Sequence, residues 1–324
     1  MEKKIASPAE VEPLVTVENL VVEFKTERAT VHALNGVNLE IKRGESLGLV
    51  GEAGAGKTGV EVIKMKLGMI TTPNADGIKR VHSFGLEYAE FDINIGMDLP
   101  FIIGDKENIK AACRETGVSV GAIGRWGPDR INSNGIIESE LENEKMLIEF
   151  ASYLGCPVYI SGCNFVEELS YYANCTYAIE YLGQLIAYGE KFGVKICTYN
   201  CNWNSFVNCD PAWTLIHGHL PALGIKFDPS HSLAGGRDYM AEAEKWGGRF
   251  YHVHLKGSLY VNGEHIDDPP AGLDNTDWPS LMALLYKKNY DGMLAIEPHS
   301  PTWQGELGEK GIAYTVRYFK NLIF

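Results

Sequence analysis

The sequence predicts an α/β fold, a (β/α)8 TIM barrel that follows a short N-terminal β-rich appendage. From residue 65 onward, short apolar segments alternate with longer segments that carry apolar residues at helical spacing. This alternation is typical of parallel strands joined by crossover helices. Eight strand segments can be identified, and the 260 residues from 65 to 324 match the ~250 residues of such barrels. We therefore expect one barrel and no second large domain.

The eight predicted strands are short and apolar. They cover residues 66–70, 88–93, 119–124, 158–162, 195–200, 224–228, 250–255 and 293–297. The predicted helices lie near residues 74–84, 105–116, 138–154, 174–192, 209–220, 237–246, 278–288 and 308–322. In a barrel of this kind the side chains at the C-terminal ends of the strands converge on one pocket. Polar residues at these ends are therefore the candidates for function.

Composition excludes several classes of protein. The chain of 324 residues has 42 acidic and 29 basic side chains, a net charge of −13 and 45% hydrophobic residues. This acidic balance disfavours nucleic-acid binding, which depends on Lys and Arg. No apolar run is long enough to span a membrane, and the N-terminus lacks the apolar core of a signal peptide. The seven cysteines show no CxxC spacing, so we expect reduced thiols and a cytoplasmic protein.

The first 64 residues have a different character. Residues 14–25 and 31–49 alternate apolar and polar residues around an expected turn at Asn35-Gly36. They lead into GEAGAGKT at 51–58, a phosphate-binding loop pattern in which Lys57 would reach terminal phosphates and Thr58 would hold magnesium.

Residues 14–58 resemble the start of an oligopeptide-type ABC transporter ATP-binding subunit. The resemblance ends there, because nothing downstream is similar to that family's glutamine loop, LSGGQ signature or acidic strand end. We expect residues 1–64 to be a truncated remnant of a gene fusion or join, without ATP hydrolysis.

Polar residues follow the last three predicted strands. FDPSH ends strand six, HVHLK ends strand seven and EPH ends strand eight. Asp, His and Glu side chains from adjacent strands form a mixed oxygen and nitrogen set that suits Mn²⁺, Mg²⁺, Co²⁺ or Zn²⁺. Without a cysteine in the set, a thiolate zinc site is not expected.

These motifs, over about residues 65–324, are similar to those of the xylose isomerase-like barrel superfamily. It includes sugar-phosphate isomerases and epimerases, inosose dehydratases and apurinic endonucleases. The resemblance implies that Asp228, His254 and Glu297 are metal ligands, with Mn²⁺ as the first expectation. It also implies that His231 holds metal or a substrate oxygen and that Lys256 stabilises an enolate or binds a substrate oxygen.

One position departs from the superfamily pattern. Members usually place a metal-binding glutamate at the end of strand five, where this chain has Tyr199 followed by Asn200. The change removes one negative charge and the second carboxylate of a two-base epimerase. Either Asn200 or water would then complete the metal shell, or the metal would bind weakly. We expect His231, Tyr199 and Lys256 to move protons, with Glu297 acting first as a ligand.

Further pocket candidates lie at other strand ends and in later loops. Aromatic faces stack on sugar rings, and arginine binds carboxylates or phosphates. The candidates for substrate contacts at the ends of strands and in later loops are Arg125, Trp126, Asn164, Asn200, Trp203 and Arg237, with Glu90 and Asp92 closing strand two. The long loop 257–277 is expected to act as a substrate lid. We expect His252 to point to the opposite face from His254, and His217 and His219 to lie on the surface.

The leading functional hypothesis is a metal-dependent isomerase or epimerase that acts on a sugar, keto-sugar or cyclitol through an enediolate. The missing strand-five glutamate leaves open a lyase, dehydratase or deglycosylating enzyme of the same superfamily. A sugar-binding barrel with a decayed metal site is the non-enzymatic alternative. A transporter ATPase and an apurinic endonuclease are less well supported. The expected partner is a small carbohydrate, and self-association into a homo-oligomer is left open.

Overall fold

The structure is a computed structural model that describes residues 15–25, 30–41 and 65–324. The chain divides into two compact units, Met1–Val62 and Ile63–Phe324. In the first unit, β1 (Val15–Lys25) and β2 (Thr30–Ile41) form a two-stranded antiparallel sheet. The turn expected at Asn35-Gly36 is wrong, because both residues lie within β2, at an irregularity in the pairing where Gly36 has a φ of 77°. The phosphate-loop residues 51–58 lie outside the described residues.

The second unit contains a closed barrel of eight parallel strands, which confirms the predicted fold class. The strands, in chain order, are β3 (Lys66–Thr71), β4 (Tyr88–Asn94), β5 (Ser119–Trp126), β8 (Val158–Ser161), β9 (Lys195–Tyr199), β10 (Gly224–Phe227), β11 (Phe250–Leu255) and β14 (Met293–Ile296). Each pairs with the next, and β14 pairs with β3 to close the barrel. Every predicted strand is present, because buried parallel strands have continuous apolar runs that are easily identified.

Helices connect the barrel strands. They are α1 (Ala75–Ser83), α2 (Leu99–Gly104), α3 (Lys106–Thr116), α4 (Glu138–Leu154), α5 (Tyr171–Phe192), α6 (Asp210–His219), α7 (Pro229–Ala234), α8 (Tyr239–Trp246), α9 (Trp278–Lys287) and α10 (Gly305–Lys320). Two short ones, α2 and α7, had not been predicted, because six residues are too few to show helical periodicity. None of the helices in the described residues is long and apolar enough to cross a membrane.

Two small hairpins interrupt the regular alternation. One consists of β6 (Ile131–Asn132) and β7 (Gly135–Ile136), and the other of β12 (Leu259–Val261) and β13 (Glu264–Asp267). The second hairpin occupies the first half of the loop that the sequence analysis interpreted as a lid. It follows β11 directly, so it lies at the C-terminal end of the barrel.

The apolar core has two parts. The larger cluster of buried residues draws on both strands and helices. A smaller cluster comes from alternate positions of β5, β8 and β9, and its members are Ala122, Trp126, Val158, Ile160, Cys197 and Tyr199. Because side chains alternate across a strand, these positions share one face of each strand. The apolar cluster therefore fills the interior on the side of β5, β8 and β9, and charged residues occupy the side of β4, β10, β11 and β14.

Candidate active site

Asp228 stands immediately after β10 and caps the short helix α7. Its Oδ1 atom accepts a hydrogen bond from the backbone N–H of Ser230 at 2.9 Å, which fixes the carboxylate. The other oxygen, Oδ2, is fully buried and has no hydrogen-bond partner among the described residues. A buried carboxylate oxygen without a hydrogen bond is costly, so this atom is suited to a bound cation. His231 Nε2 at 3.4 Å and Lys226 Nζ at 3.7 Å face it without forming a hydrogen bond.

Two neighbouring strands direct ligand atoms toward the same place. His254 lies on β11, and its Nδ1 atom is 2.6 Å from Glu297 Oε2 and 4.0 Å from Asp228 Oδ2. Glu297 follows β14 directly. One ligand atom from each of Asp228, His254 and Glu297 lies within 4.8 Å of the others. The strand ends therefore bring together the three residues that the sequence predicted as metal ligands.

These residues fit a divalent cation. The set offers two carboxylates and one imidazole, which suits Mn²⁺, Mg²⁺, Co²⁺ or Zn²⁺. His231 Nε2 lies 3.4 Å from Asp228 Oδ2 and is near enough to act as a fourth ligand. The unpaired Oδ2 atom of Asp228 is the specific feature that such an ion would satisfy.

Electrostatics keep both carboxylates ionised. Burial raises the pKa of Asp228, but the nearby His231 and Lys226 outweigh it and the net pKa is lowered. Burial also raises the pKa of Glu297, but its hydrogen bond with His254 and the charges of His254 and Lys226 lower it well below the usual value. Both groups therefore present negative charge at neutral pH.

His231 and Lys256 stand beside the cluster with opposite charge states. Burial lowers the pKa of His231 to about 4, against the opposing effect of Asp228, so the imidazole is neutral at pH 7. Burial lowers the pKa of the Lys256 ammonium, but Glu297 and Asp228 outweigh burial and the net pKa is raised. The site therefore has a neutral base and a fixed cation side by side.

A cavity of about 450 Å³ opens next to these two residues. Its lining includes His231 and Lys256 on the barrel side, and Tyr260, His265 and Asp268 on the side of the β12–β13 hairpin. The volume is within the range of small-molecule pockets. Asp268 accepts from His265 Nε2 at 2.8 Å and lies 3.7 Å from Lys256 Nζ, so it links the hairpin to the site. The loop thus borders the cavity, and its role as a lid stays a prediction.

The sequence profile of the xylose isomerase-like TIM barrel family matches residues 78–322. The chain belongs to this family.

Several solved structures share this fold. A xylose isomerase domain protein from Planctomyces limnophilus superimposes with a TM-score of 0.65 and 17% identity, covering 80% of this chain and 97% of that one. A 3-keto-D-glucoside 4-epimerase from Escherichia coli gives a TM-score of 0.62 and 17% identity, with 80% and 100% covered. A probable 3-DHS dehydratase from Bacillus anthracis gives 0.62 and 12%, with 79% and 98% covered. At such identities the likeness shows the fold alone.

Curated relatives match only parts of the chain. An uncharacterized protein of Bacillus subtilis is 27% identical over 152 residues, which are 40% of this chain and 49% of that protein. A probable D,D-dipeptide transport ATP-binding protein of Escherichia coli is 43% identical over 56 residues, 17% of each chain. The chain thus spans about half of the first and a sixth of the second. The resemblance to transport ATPases is therefore confined to a small part of the chain.

Glu90 contributes more to the site than the sequence indicated. It lies on β4, is fully buried, and its carboxylate is 2.7 Å from His252 Nε2 and 2.9 Å from His254 Nε2. Burial raises the pKa of Glu90, but the two histidines outweigh it and hold the pKa well below the usual value. Its position on the same strand face as Asp92 was visible in the sequence, but its partners on β11 were not.

The expectation for His252 is wrong. Residues two apart on a strand share a face, so His252 and His254 point to the same side of β11. Their rings meet edge to face at 5.2 Å, and both contact Glu90. Since Glu90 occupies the Nε2 atom of His254, it orients the Nδ1 atom toward Asp228 and Glu297.

Tyr199 does lie inside the barrel, but its surroundings are those of a packing residue. Its ring stacks on Trp126 at 5.6 Å, and its hydroxyl donates to the carbonyl of Trp203 at 3.0 Å. Burial raises the pKa of Tyr199 further above its already high value. With its proton committed to a carbonyl, the hydroxyl is not placed to shuttle protons as predicted.

The side chain of Asn200 is hydrogen-bonded to the backbone of Asp228. Its side-chain oxygen accepts from the backbone N–H of Asp228 at 3.0 Å, and its amide nitrogen donates to the Asp228 carbonyl at 2.8 Å. These two bonds hold the backbone of a proposed ligand. The side-chain amide of Asn200 is thus engaged by the backbone of Asp228, and its contact with substrate or metal stays a prediction.

Arg125 and Asn164 are engaged elsewhere. Arg125 is buried against α4, where its Nε donates to Glu140 at 2.9 Å, and its Nη1 donates to the Asn94 carbonyl at 2.8 Å. The Asn164 side chain bonds the backbone of Arg130 and Ile131 and so anchors the start of the β6–β7 hairpin. The structure thus does not bring either predicted substrate contact to the pocket.

The remaining candidates divide into three kinds. Trp126 is buried in the apolar interior cluster. Arg237, in the turn between α7 and α8, donates from Nε to Glu242 at 2.8 Å and remains partly exposed. Trp203 is 47% exposed, and its stacking on a sugar ring stays a prediction.

Of the two histidines on α6, only His219 is exposed as expected. His217 is 1% exposed, its Nδ1 donates to the Leu223 carbonyl at 3.1 Å, and its Nε2 has no partner among the described residues. The surface prediction for His217 is therefore wrong, because α6 turns that side toward the barrel.

Proposed function

We propose that this protein is a divalent-metal-dependent epimerase or isomerase that acts on a sugar, keto-sugar or cyclitol. The observation that carries the proposal is the buried Oδ2 atom of Asp228, which has no hydrogen-bond partner among the described residues and lies beside His254 and Glu297 at adjacent strand ends. The 3-keto-D-glucoside epimerase among the structures of similar fold supports this class of substrate.

Asp228, His254 and Glu297 would hold the metal ion, with His231 as a fourth ligand or as a contact to the substrate. We expect Mn²⁺, with Mg²⁺, Co²⁺ and Zn²⁺ as alternatives. A bound divalent ion would polarise a substrate carbonyl and acidify the neighbouring C–H bond.

The chain's own residues supply proton transfer and charge stabilisation. His231 is neutral at pH 7 and lines the cavity, so its imidazole can accept a proton from a substrate carbon. Lys256 lines the same cavity as an ammonium and would stabilise the oxygen on which negative charge develops. The β12–β13 hairpin borders this space and would limit access of water to it.

A second candidate function is a lyase or dehydratase, and the Tyr199 position favours it. Two-base epimerisation needs a second group to return the proton. With Tyr199 in place of the expected glutamate, Glu297 is the carboxylate that remains, and it is also a proposed ligand. A single base suffices when a leaving group departs. The dehydratase among the structures of similar fold is consistent with this candidate.

The test is turnover of a substrate panel in D₂O by the full chain. Metal is removed with chelator and restored as Mn²⁺, Mg²⁺, Co²⁺ or Zn²⁺, and ketohexoses, keto-glucosides and inososes are followed by NMR. Deuterium at the inverted or isomerised carbon, without loss of water or aglycone, identifies the epimerase or isomerase. Loss of water identifies the dehydratase.

His231→Asn provides the control on mechanism. We expect it to lower kcat by at least about 100-fold, the usual range for a general base, while His219→Asn on exposed α6 leaves kcat unchanged. Thermal stabilisation by sugars without turnover at any metal would instead support the sugar-binding barrel and contradict both enzymatic candidates.

A further inference from the structure

Lys226 is a buried cation that the function proposed above does not use. It lies on β10 two residues before Asp228, so the two side chains share the interior face of the barrel. The residue is 1% exposed. Lysine is almost never buried to this extent unless it is paired.

The pairing of Lys226 is loose. Its Nζ lies 3.7 Å from Asp228 Oδ2, which is longer than a hydrogen bond. Its ammonium forms no hydrogen bond to any residue in the part of the chain that the structure describes. The ammonium and the unpaired carboxylate oxygen therefore face each other without a closed contact between them.

The charge of Lys226 acts on the groups of the candidate metal site. Its Nζ atom lies 3.7 Å from Asp228 Oδ2, and Asp228 offers a ligand atom within 4.8 Å of those of His254 and Glu297. The same ammonium therefore already gives Asp228 and Glu297 the positive charge that a metal ion would bring. In the protein interior, two cations a few ångströms apart repel strongly, because water does not screen them.

The number of carboxylates in the site also limits its attraction for a divalent cation. Tyr199 stands where the family resemblance predicts a third carboxylate, so the proposed ligand set has only two negative charges. Lys226 offsets one of them. Compared with a site of three carboxylates and no lysine, this site has less negative charge with which to attract a divalent cation.

We propose that Lys226 is a built-in cation that competes with the divalent metal for Asp228 and Glu297, so that the metal binds weakly and exchanges readily. The inference rests on the metal site of the proposed function. Without metal, the ammonium compensates the buried carboxylates and keeps the barrel folded. With metal, the ammonium repels the ion across the shared Oδ2 atom.

The test is calorimetric titration of the metal-free full chain with MnCl₂. We expect Lys226→Met to bind Mn²⁺ about tenfold tighter or more than the unsubstituted protein. Lys226→Gln keeps a polar side chain, should show the same direction, and replaces the first variant if that one does not fold. Lys288→Met, which removes a lysine paired with Glu244 on the protein surface, should leave the affinity unchanged.

A second measurement uses thermal unfolding. Because a ligand stabilises the state that binds it, Mn²⁺ should raise the Tm of Lys226→Met more than that of the unsubstituted protein at the same concentration. Equal or weaker Mn²⁺ binding by both Lys226 variants would overturn the inference.

Asp228→Asn separates this result from failure of the proposed function. If Mn²⁺ binding depends on Asp228 but not on Lys226, the result supports the proposed metal site and refutes the proposed competition by Lys226. If binding is independent of Asp228, or is absent even from the Lys226 variants, the proposed metal site and the inference both fail.

Discussion

The Nε2 atom of His254 lies 2.9 Å from the carboxylate of the fully buried Glu90. This contact fixes the imidazole so that its other nitrogen faces Glu297 and Asp228. Histidine ligands of metals commonly depend on such a carboxylate behind the ring. The pair connects β4 to β11 in the barrel interior and fixes the orientation of the His254 ring, which is a proposed metal ligand.

Replacement of Glu90 by Gln should therefore weaken metal binding, although Glu90 is not one of the three proposed ligands. A glutamine carries no negative charge and has only one acceptor oxygen, and it places an N–H donor where the second carboxylate oxygen of Glu90 meets His254 Nε2. We expect about a tenfold or greater loss of Mn²⁺ affinity, measured by calorimetry.

Asp92→Asn is the matched control for this substitution. Asp92 lies two residues after Glu90 on the same face of β4, and its buried Oδ1 atom has no hydrogen-bond partner among the described residues. Asparagine has nearly the same shape and removes no hydrogen bond to His252 or His254, so Mn²⁺ affinity should stay within about twofold, a difference of less than 1 kcal/mol. If both variants lose affinity equally, the effect reflects general disturbance of the interior and not orientation of His254.

Tyr199→Phe should leave catalysis nearly intact. The hydroxyl donates to the Trp203 carbonyl and the ring stacks on Trp126, so its loss costs about 1 kcal/mol of unfolding free energy. We expect kcat within about twofold of the unsubstituted value, measured on whichever substrate the panel identifies, because twofold is less than 1 kcal/mol of barrier. A loss of 100-fold would instead restore Tyr199 as a proton-transfer residue.

Arg125→Met should affect stability and not substrate binding. The guanidinium is buried and paired with Glu140 at 2.9 Å, and removal of one partner of a buried pair costs about 3 to 5 kcal/mol. Urea unfolding should show this loss, and the double variant Arg125→Met with Glu140→Met should recover part of it. A raised KM with unchanged stability would show that Arg125 contacts the substrate after all.

His217 should make the barrel less stable in acid. Burial lowers its pKa from 6.5 to about 4, so in the folded state it stays neutral while the unfolded chain takes up a proton below about pH 6.5. The contribution of neutral His217 to the free energy of unfolding is fully present above pH 6.5. It is lost as the pH falls toward 4, by about 3 kcal/mol in total.

The His217 effect can be isolated by comparing two variants on one helix. Urea unfolding at pH 7 and pH 4.5 should show a smaller pH-dependent loss for His217→Leu than for the unsubstituted protein. His219→Leu, on the exposed side of α6, should retain the original dependence. Identical pH profiles for all three proteins would show that His217 does not titrate differently on folding.

Sequence patterns predicted the barrel well because each buried strand is a continuous apolar run followed by a recognisable polar end. The same reasoning located Asp228, His254 and Glu297, since their strands are adjacent and their motifs end at one edge. It misjudged Arg125, because a shift of one residue along β5 decides whether a side chain faces the pocket or α4. Trp126, the next residue, does lie inside.

Other errors have a different physical origin. Glu90 gains its importance from His252 and His254, which lie more than 160 residues away, and no local pattern records that contact. Lys226 could have been found, because it precedes Asp228 by two residues and therefore shares its strand face. The burial of His217 could not have been predicted, since helical spacing in α6 does not show which polar residue turns inward.

The most direct test of the account is the position of a bound metal ion. Crystals of the full chain soaked in MnCl₂ should give an anomalous difference peak bounded by Asp228 Oδ2, His254 Nδ1 and Glu297, and Asp228→Asn crystals treated in the same way should lack it. A peak at the Glu90, His252 and His254 cluster, or no peak at any of these residues at millimolar Mn²⁺, would contradict the proposed metal centre.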